Sequence, residues 1–164
     1  MARAVYLSIG SNAVDASRMV MKAINEVLAL EGAREIGRGR LYRTEPQGRV
    51  DQPWFVNTAL ALWLELEPLE TLKRLKKIEA GLGRTPGERW GPREIDIDII
   101  FYGDLLMTTD ELTIPHPRAA QRRFALAPLV DIDPGLIHPG LGRPVAELLA
   151  ALPEDGQVVQ LIEP

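Results

Sequence analysis

None of the 164 residues is cysteine, which excludes disulfides, thiolate catalysis and cysteine-ligated zinc. Only two histidines are present, and no His-x-x-x-His spacing occurs, so a zinc site has little support. No run approaches the roughly 20 apolar residues that a membrane span needs. The opening MARAVYLSIGSN reads as a short apolar strand ending in a turn, without the long apolar stretch or cleavage site of an export signal. Residence in the cytoplasm, with no membrane partner, is the expectation. Basic charge is not in excess either: 19 Lys and Arg against 23 Asp and Glu give −4, which argues against generic nucleic-acid binding. The G-x-x-x-x-G-K-[ST] phosphate cradle and the G-x-S-x-G nucleophile elbow are both missing, so neither a P-loop nor acyl-enzyme chemistry is supported.

What is there fits one soluble domain covering residues 1–164, with 46% hydrophobic and 26% charged residues and no internal repeat or low-complexity linker. Residues 4–9 predict a strand closed by Gly10-Ser11-Asn12. Residues 15–30 carry a helical pattern on Met19, Ala23, Val27 and Leu30. A second strand is expected over 35–43, then a polar loop over 44–53. Residues 54–65 alternate, with Val56, Leu60, Leu62 and Leu64 on one face and Phe55, Asn57, Ala59, Ala61 and Trp63 on the other. A helix starts at Pro68 and stops near Gly83, followed by an irregular loop over 84–93. A hairpin after Gly103-Asp104, helices over 118–131 and 144–152, and a strand over 157–162 complete the pattern. The returns near residues 44 and 104 suggest an α+β sandwich, a mostly antiparallel sheet with helices packed on it.

The stretch RWGPREIDIDI, residues 89–99, concentrates the chemistry. Ile95, Ile97 and Ile99 alternate with Asp96 and Asp98, and aspartate is a poor strand former. Both carboxylates project from one face, roughly 6 to 7 Å apart along the strand. Two such charges repel unless a cation lies between them, and Mg²⁺ takes one or two carboxylates with substrate phosphates completing its shell. An isolated D-x-D serves equally well to blunt an exposed sheet edge. Arg84, Arg89 and Arg93 lie just upstream, however, and guanidinium forks match phosphate oxygens. The grouping suggests a clamp over Mg²⁺-bound polyphosphate. Phe55 and Asn57 share a strand face; a ring and an amide there can stack on and read a flat heteroaromatic ring, although a core ring and a strand-end amide are the plainer reading. Phe124 is a candidate second ring. His116, between Pro115 and Pro117, either contacts phosphate or caps a turn, and His138 reads as structural.

Taken together, LSIGSN (7–12), YRTEP (42–46), DQPWFVN (51–57), IEAGLGR (78–84), RWGPREIDIDI (89–99), PHPR (115–118) and RRFALAPL (122–129) resemble the 6-hydroxymethyl-7,8-dihydropterin pyrophosphokinase family along nearly the whole chain. The resemblance implies a ferredoxin-like α+β sandwich, a monomer, ATP as diphosphate donor and co-substrate, a reduced pterin as acceptor, and two Mg²⁺ ions held by Asp96 and Asp98. It implies Arg84 and Arg93 as catalytic arginines, with Arg89 and Trp90 on the loop over the nucleotide. It implies Phe55 and Phe124 as the rings around the pterin, Asn57 as the amide reading its edge, and main-chain groups at Gly10, Thr44 and Glu45 completing the pocket. Lys76, Glu79, Ile99, Thr113, His116 and Arg122 fall where the family contacts the nucleotide. The chain departs from the pattern at Glu45, where proline is frequent, at Thr85-Pro86-Gly87 and at Ala119-Ala120-Gln121. The competing readings are a Mg²⁺-dependent phosphodiesterase, which would need more converging carboxylates or histidines, and a non-catalytic nucleotide- or RNA-binding module, whose aromatic sheet motif is missing.

Overall fold

The computed structural model describes residues 1–46, 53–83, 95–153 and 158–162. Its centre is a sheet in which every pairing is antiparallel. β1 (Arg3–Ser11) lies between β4 (Phe55–Leu64) and β5 (Asp96–Tyr102). β2 (Arg34–Arg38) and β3 (Tyr42–Thr44) both pair with β4, and β10 (Val159–Leu161) pairs with β3. With α1 (Ala16–Leu28) and α2 (Pro68–Gly83) crossing one face, the chain traces two interleaved βαβ units. This is the ferredoxin-like sandwich expected from the sequence.

Period-two alternation gives the sheet two different faces. Val5, Leu7, Ile9, Leu60, Leu62, Ile97 and Ile99 pack against Val20, Ala23, Ile24 and Val27 of α1 and Leu75 of α2. Each such leucine or isoleucine contributes about 1.5–3 kcal/mol when fully buried. The opposite face holds Tyr6, Ala59, Ala61 and Phe101 beneath α3 (Arg123–Ile132) and α4 (Val145–Ala150). Beyond the area covered by α3 and α4, that face carries Ser8, Gly10, Asn57, Asp96 and Asp98.

Several boundaries differ from the sequence reading, each for a local reason. The strand expected over 35–43 is two strands. Between them, Gly39 donates its N–H to the Ala59 carbonyl at 2.9 Å and Arg40 turns to Asp131. The helix expected over 118–131 is broken: a 3-10 turn covers Ala119–Gln121, and Arg122 is extended (φ −115°, ψ 108°) before α3 begins. The hairpin after β5 forms from β6 (Met107–Thr108) and β7 (Thr113–Ile114), led by Gly103 at φ 57°, a conformation that suits glycine. A second small hairpin, β8 (Ile137–His138) with β9 (Arg143–Pro144), has no counterpart in the sequence reading. His138 is structural, as expected: its Nδ1 accepts the Gly140 and Leu141 N–H groups at 3.1 Å each.

Candidate active site

The site is a cross-strand row. Asn57 on β4 is in register with Gly10 on β1, and Gly10 with Asp96 on β5. One step along, Ala59, Ser8 and Asp98 are likewise in register. Directly opposed residues share a face, so both aspartates and the amide of Asn57 project from the same side of the sheet, over a floor of small residues. Asp96 and Asp98 are half-buried while Ile97 and Ile99 are buried beneath them. The aspartate strand is therefore a ruler built on an isoleucine anchor, as its alternation predicts.

Gly10 is required by close approach. A Cβ there would lie 2.3 Å from Asn57 Oδ1, well inside contact distance. Asn57, 5% exposed, donates from Nδ2 to Thr44 Oγ1 at 2.8 Å. Gly10, Thr44 and Asn57 thus form one buried polar unit across three strands. Phe55, half-buried, opens β4 opposite Thr44. Phe124 is half-buried in the first turn of α3, with the Arg122 guanidinium 5.5 Å from its ring centroid.

Around the aspartates, the expected nucleotide contacts fall into two groups. Glu79 reaches from α2 to accept the Ile97 N–H at 2.9 Å. Burial pushes its carboxyl up; the Ile97 N–H and Lys76 oppose that, and Asp96 and Asp98 reinforce it. Further along, beside the same strand, stands His116, whose main-chain N–H donates to the Ile100 carbonyl of β5. Burial pushes its imidazole down, opposed by Asp98 and aided by Arg122 and Arg118. Its Nδ1 also accepts the Arg118 N–H at 3.2 Å, so His116 caps a turn while standing beside Asp98.

Three expected residues are placed differently from the rest. The Ile99 side chain is buried in the α1–α2 core, on the face away from the aspartates, so it offers a nucleotide only its main chain. Lys76 is an exposed residue of α2 whose side chain lies 3.8 Å from Glu79. Glu45 spends its N–H on the Val158 carbonyl at 3.1 Å and accepts the Val158 N–H on Oε1 at 2.7 Å. The Glu45 N–H, one of the main-chain groups expected around the pterin, is committed to the approach to β10. Thr113, on β7, is half-buried beside the buried Ile114. Arg84, Arg89, Trp90 and Arg93 lie outside the described residues. Sequence reasoning missed the part of Ser8, which sits between the aspartate strand and Ala59, and the carboxylate of Asp131; an acid in the last turn of a helix was the available signal.

Fold and site together define a small α+β domain that sets a carboxylate pair beside a buried amide on one face of its sheet. Residues 6–134 match the family model of 7,8-dihydro-6-hydroxymethylpterin-pyrophosphokinase, and the chain belongs to this family. It is 42% identical over 151 residues to the 2-amino-4-hydroxy-6-hydroxymethyldihydropteridine pyrophosphokinase of Methylorubrum extorquens, covering 92% of this chain and 94% of the relative. It is 39% identical to the Pseudomonas aeruginosa enzyme of the same name, covering 95% of this chain and 96% of that one. The crystal structure of Plasmodium falciparum HPPK-DHPS with pteroate superposes with a TM-score of 0.74 at 16% identity, covering 92% of this chain and 42% of that longer chain. That likeness concerns the fold alone. The chain therefore transfers diphosphate from ATP to the hydroxymethyl group of the dihydropterin, a step of folate biosynthesis. The phosphodiesterase and binding-module readings fall away.

Proposed function

We propose that the pterin lies between Phe55 and Phe124 with its polar edge on Asn57, and that its hydroxymethyl group points along the Gly10 row toward Asp96 and Asp98. The observation that carries this reading is the register Asn57–Gly10–Asp96. Two inter-strand steps of roughly 4.8 Å separate the amide from the carboxylate, which brings the ring-reading group and the phosphate-handling group together. Gly10, lacking a side chain, lets the Asn57 amide lie directly over β1. Thr44 Oγ1 fixes the Asn57 amide by taking one N–H, so the second N–H and the Oδ1 are oriented for the donor-and-acceptor edge of a pterin.

Two half-buried carboxylates facing one way suit a hard dication. Among the described residues no group of three or more His, Asp or Glu could hold a metal by itself. Such a set matches Mg²⁺, which completes its shell with phosphate oxygens and water. Asp96 and Asp98 would hold two Mg²⁺ ions. When bound, these would neutralise charge on the diphosphate and the leaving AMP and acidify the attacking hydroxyl. Phosphoryl transfer of this kind rests on positioning and charge neutralisation rather than on a covalent nucleophile, in keeping with a cysteine-free chain. Glu79 holds the Ile97 N–H between the two aspartates and so fixes the strand that aims them. His116, Arg122, Thr113 and Lys76 are assigned to the nucleotide, a role supported for His116 and Arg122 by the electrostatic influence of both Asp98 and Arg122 on the His116 imidazole. Arg84 and Arg93 are assigned to the charge that develops in flight, and Arg89 and Trp90 to the nucleotide.

A monomer of the cytoplasm, built as one domain, completes the reading; the single domain is supported by β10, which joins the same sheet as β1. A sedimentation mass of one chain supports it, and a dimer mass contradicts it. The site itself is tested with Phe124→Ala. Pterin affinity should fall far more than affinity for an ATP analogue, and equal losses would refute the sandwich.

A further inference from the structure

Asp131 is an acid in the last turn of α3, where the helix dipole disfavours negative charge, and its side chain is only 12% exposed. Neither solubility nor helix stability explains it. Its carboxylate instead takes four hydrogen bonds from one short segment: the Arg40 N–H at 3.0 Å, Arg40 Nε at 3.2 Å and Nη2 at 2.9 Å, and the Tyr42 hydroxyl at 2.7 Å. Tyr42 is buried, and its partner across the sheet is Asn57. Two residues further along β3 is Thr44, which holds the Asn57 amide.

Phe124, Pro128 and Asp131 are spaced i, i+4 and i+7, one stripe of a helix. At its middle this stripe touches the β2–β3 joint, where a Cβ on Gly39 would lie 2.7 Å from the Pro128 Cβ and carbonyl oxygen. At its end Asp131 grips Arg40 and Tyr42. The stripe therefore faces the β2–β3 joint and the start of β3 over its last two turns, and carries Phe124 at the opposite end, two helical turns or about 10 Å from Asp131. We propose that Asp131, through Arg40 and Tyr42, is a positioning residue for the pterin: its clasp sets α3 against β3 and so fixes Phe124 over the floor made by Thr44 and Asn57. This rests on the pterin pocket proposed above. Arg40 and Tyr42 act with Asp131 and touch no substrate.

The test is binding by titration calorimetry of the full chain, with the dihydropterin added to protein saturated with Mg²⁺ and a non-hydrolysable ATP analogue. Asp131→Asn keeps the shape but loses the charge that makes these bonds strong. Its pterin Kd should rise about tenfold, with the Kd of the ATP analogue within about twofold of wild type. The double variant with Phe124→Ala should bind pterin no more weakly than Phe124→Ala alone, because both changes remove the same contact. Additive losses, an unchanged pterin Kd, or equal losses for both ligands would overturn the clasp. If Asp131→Asn does not fold, Tyr42→Phe carries the same comparison with a smaller pterin-selective loss, and its absence overturns the proposal equally. Should Phe124→Ala leave pterin binding intact, the pocket itself is wrong. Should Phe124→Ala lose pterin selectively while Asp131→Asn does not, only the clasp is wrong.

Discussion

Adding one methyl group at Gly10 tests the floor of the site. In Gly10→Ala the new Cβ would sit 2.3 Å from Asn57 Oδ1 and 3.4 Å from Asn57 Cγ. Both strands are central and paired on either side, so the backbone cannot step aside cheaply; the amide must rotate. Rotation breaks the 2.8 Å bond to Thr44 Oγ1 and leaves a buried donor or acceptor unpaired, at a cost of about 1–3 kcal/mol. The variant should lose about 2 kcal/mol of unfolding free energy in urea. The amide no longer presents its edge correctly, so pterin affinity should fall by about thirtyfold, since 1.4 kcal/mol is tenfold. ATP affinity should barely change, because Asp96 and Asp98 keep their isoleucine anchor. Urea titration and calorimetry with each ligand measure the two effects separately. A Gly10→Ala protein of wild-type stability and pterin affinity would refute the close packing of Gly10 on Asn57 and the reading built on it.

Replacing Asp96 or Asp98 by Asn should lower kcat at saturating Mg²⁺ by about a thousandfold or more, since charge stabilisation by the ions is worth several kcal/mol, while the melting temperature holds or rises as a like-charge pair is relieved; near-normal turnover in either variant contradicts the metal role. Burial holds His116 and His138 below the usual imidazole value of 6.5, so folding disfavours their protonated forms, and stability is complete above about pH 6.5 and is lost as pH falls through the depressed values. Melting curves between pH 7.5 and 5 should show that loss, shallower in His138→Gln, and a flat wild-type profile counts against it. Glu45→Pro removes both hydrogen bonds to Val158, which should cost about 1–2 kcal/mol and speed amide exchange in β10, and unchanged exchange there contradicts the tether.

The elements that were legible in the sequence are those whose period matches one buried face. The isoleucines of β5, the alternation of β4 and the Pro68-to-Gly83 helix were read correctly because a single local pattern determines each. The break between β2 and β3 is tertiary: Gly39 is pressed against Pro128, which is 89 residues away in the chain, and the local sign in REIGRGRLYRT, Gly37 and Gly39, marks a weak strand without saying that it divides. The break at Arg122 escaped for a similar reason. Within the site, Asp96, Asp98 and Asn57 announced themselves as polar residues in strands that otherwise favour apolar ones. The commitment of Glu45 to Val158 depends on strand pairing, which a motif does not encode, whereas the burial of Ile99 follows from the same alternation that exposes the aspartates. Asp131 left only the faint signal of an acid at the wrong end of a helix.

The most direct measurement is anomalous diffraction from crystals grown with the dihydropterin, a non-hydrolysable ATP analogue and Mn²⁺ in place of Mg²⁺. Metal peaks are expected about 2.1 Å from carboxylate oxygens of both Asp96 and Asp98, with the phosphate chain on the metals and the pterin ring between Phe55 and Phe124. Metal peaks elsewhere, or a nucleotide bound with both aspartates facing water, would contradict this arrangement.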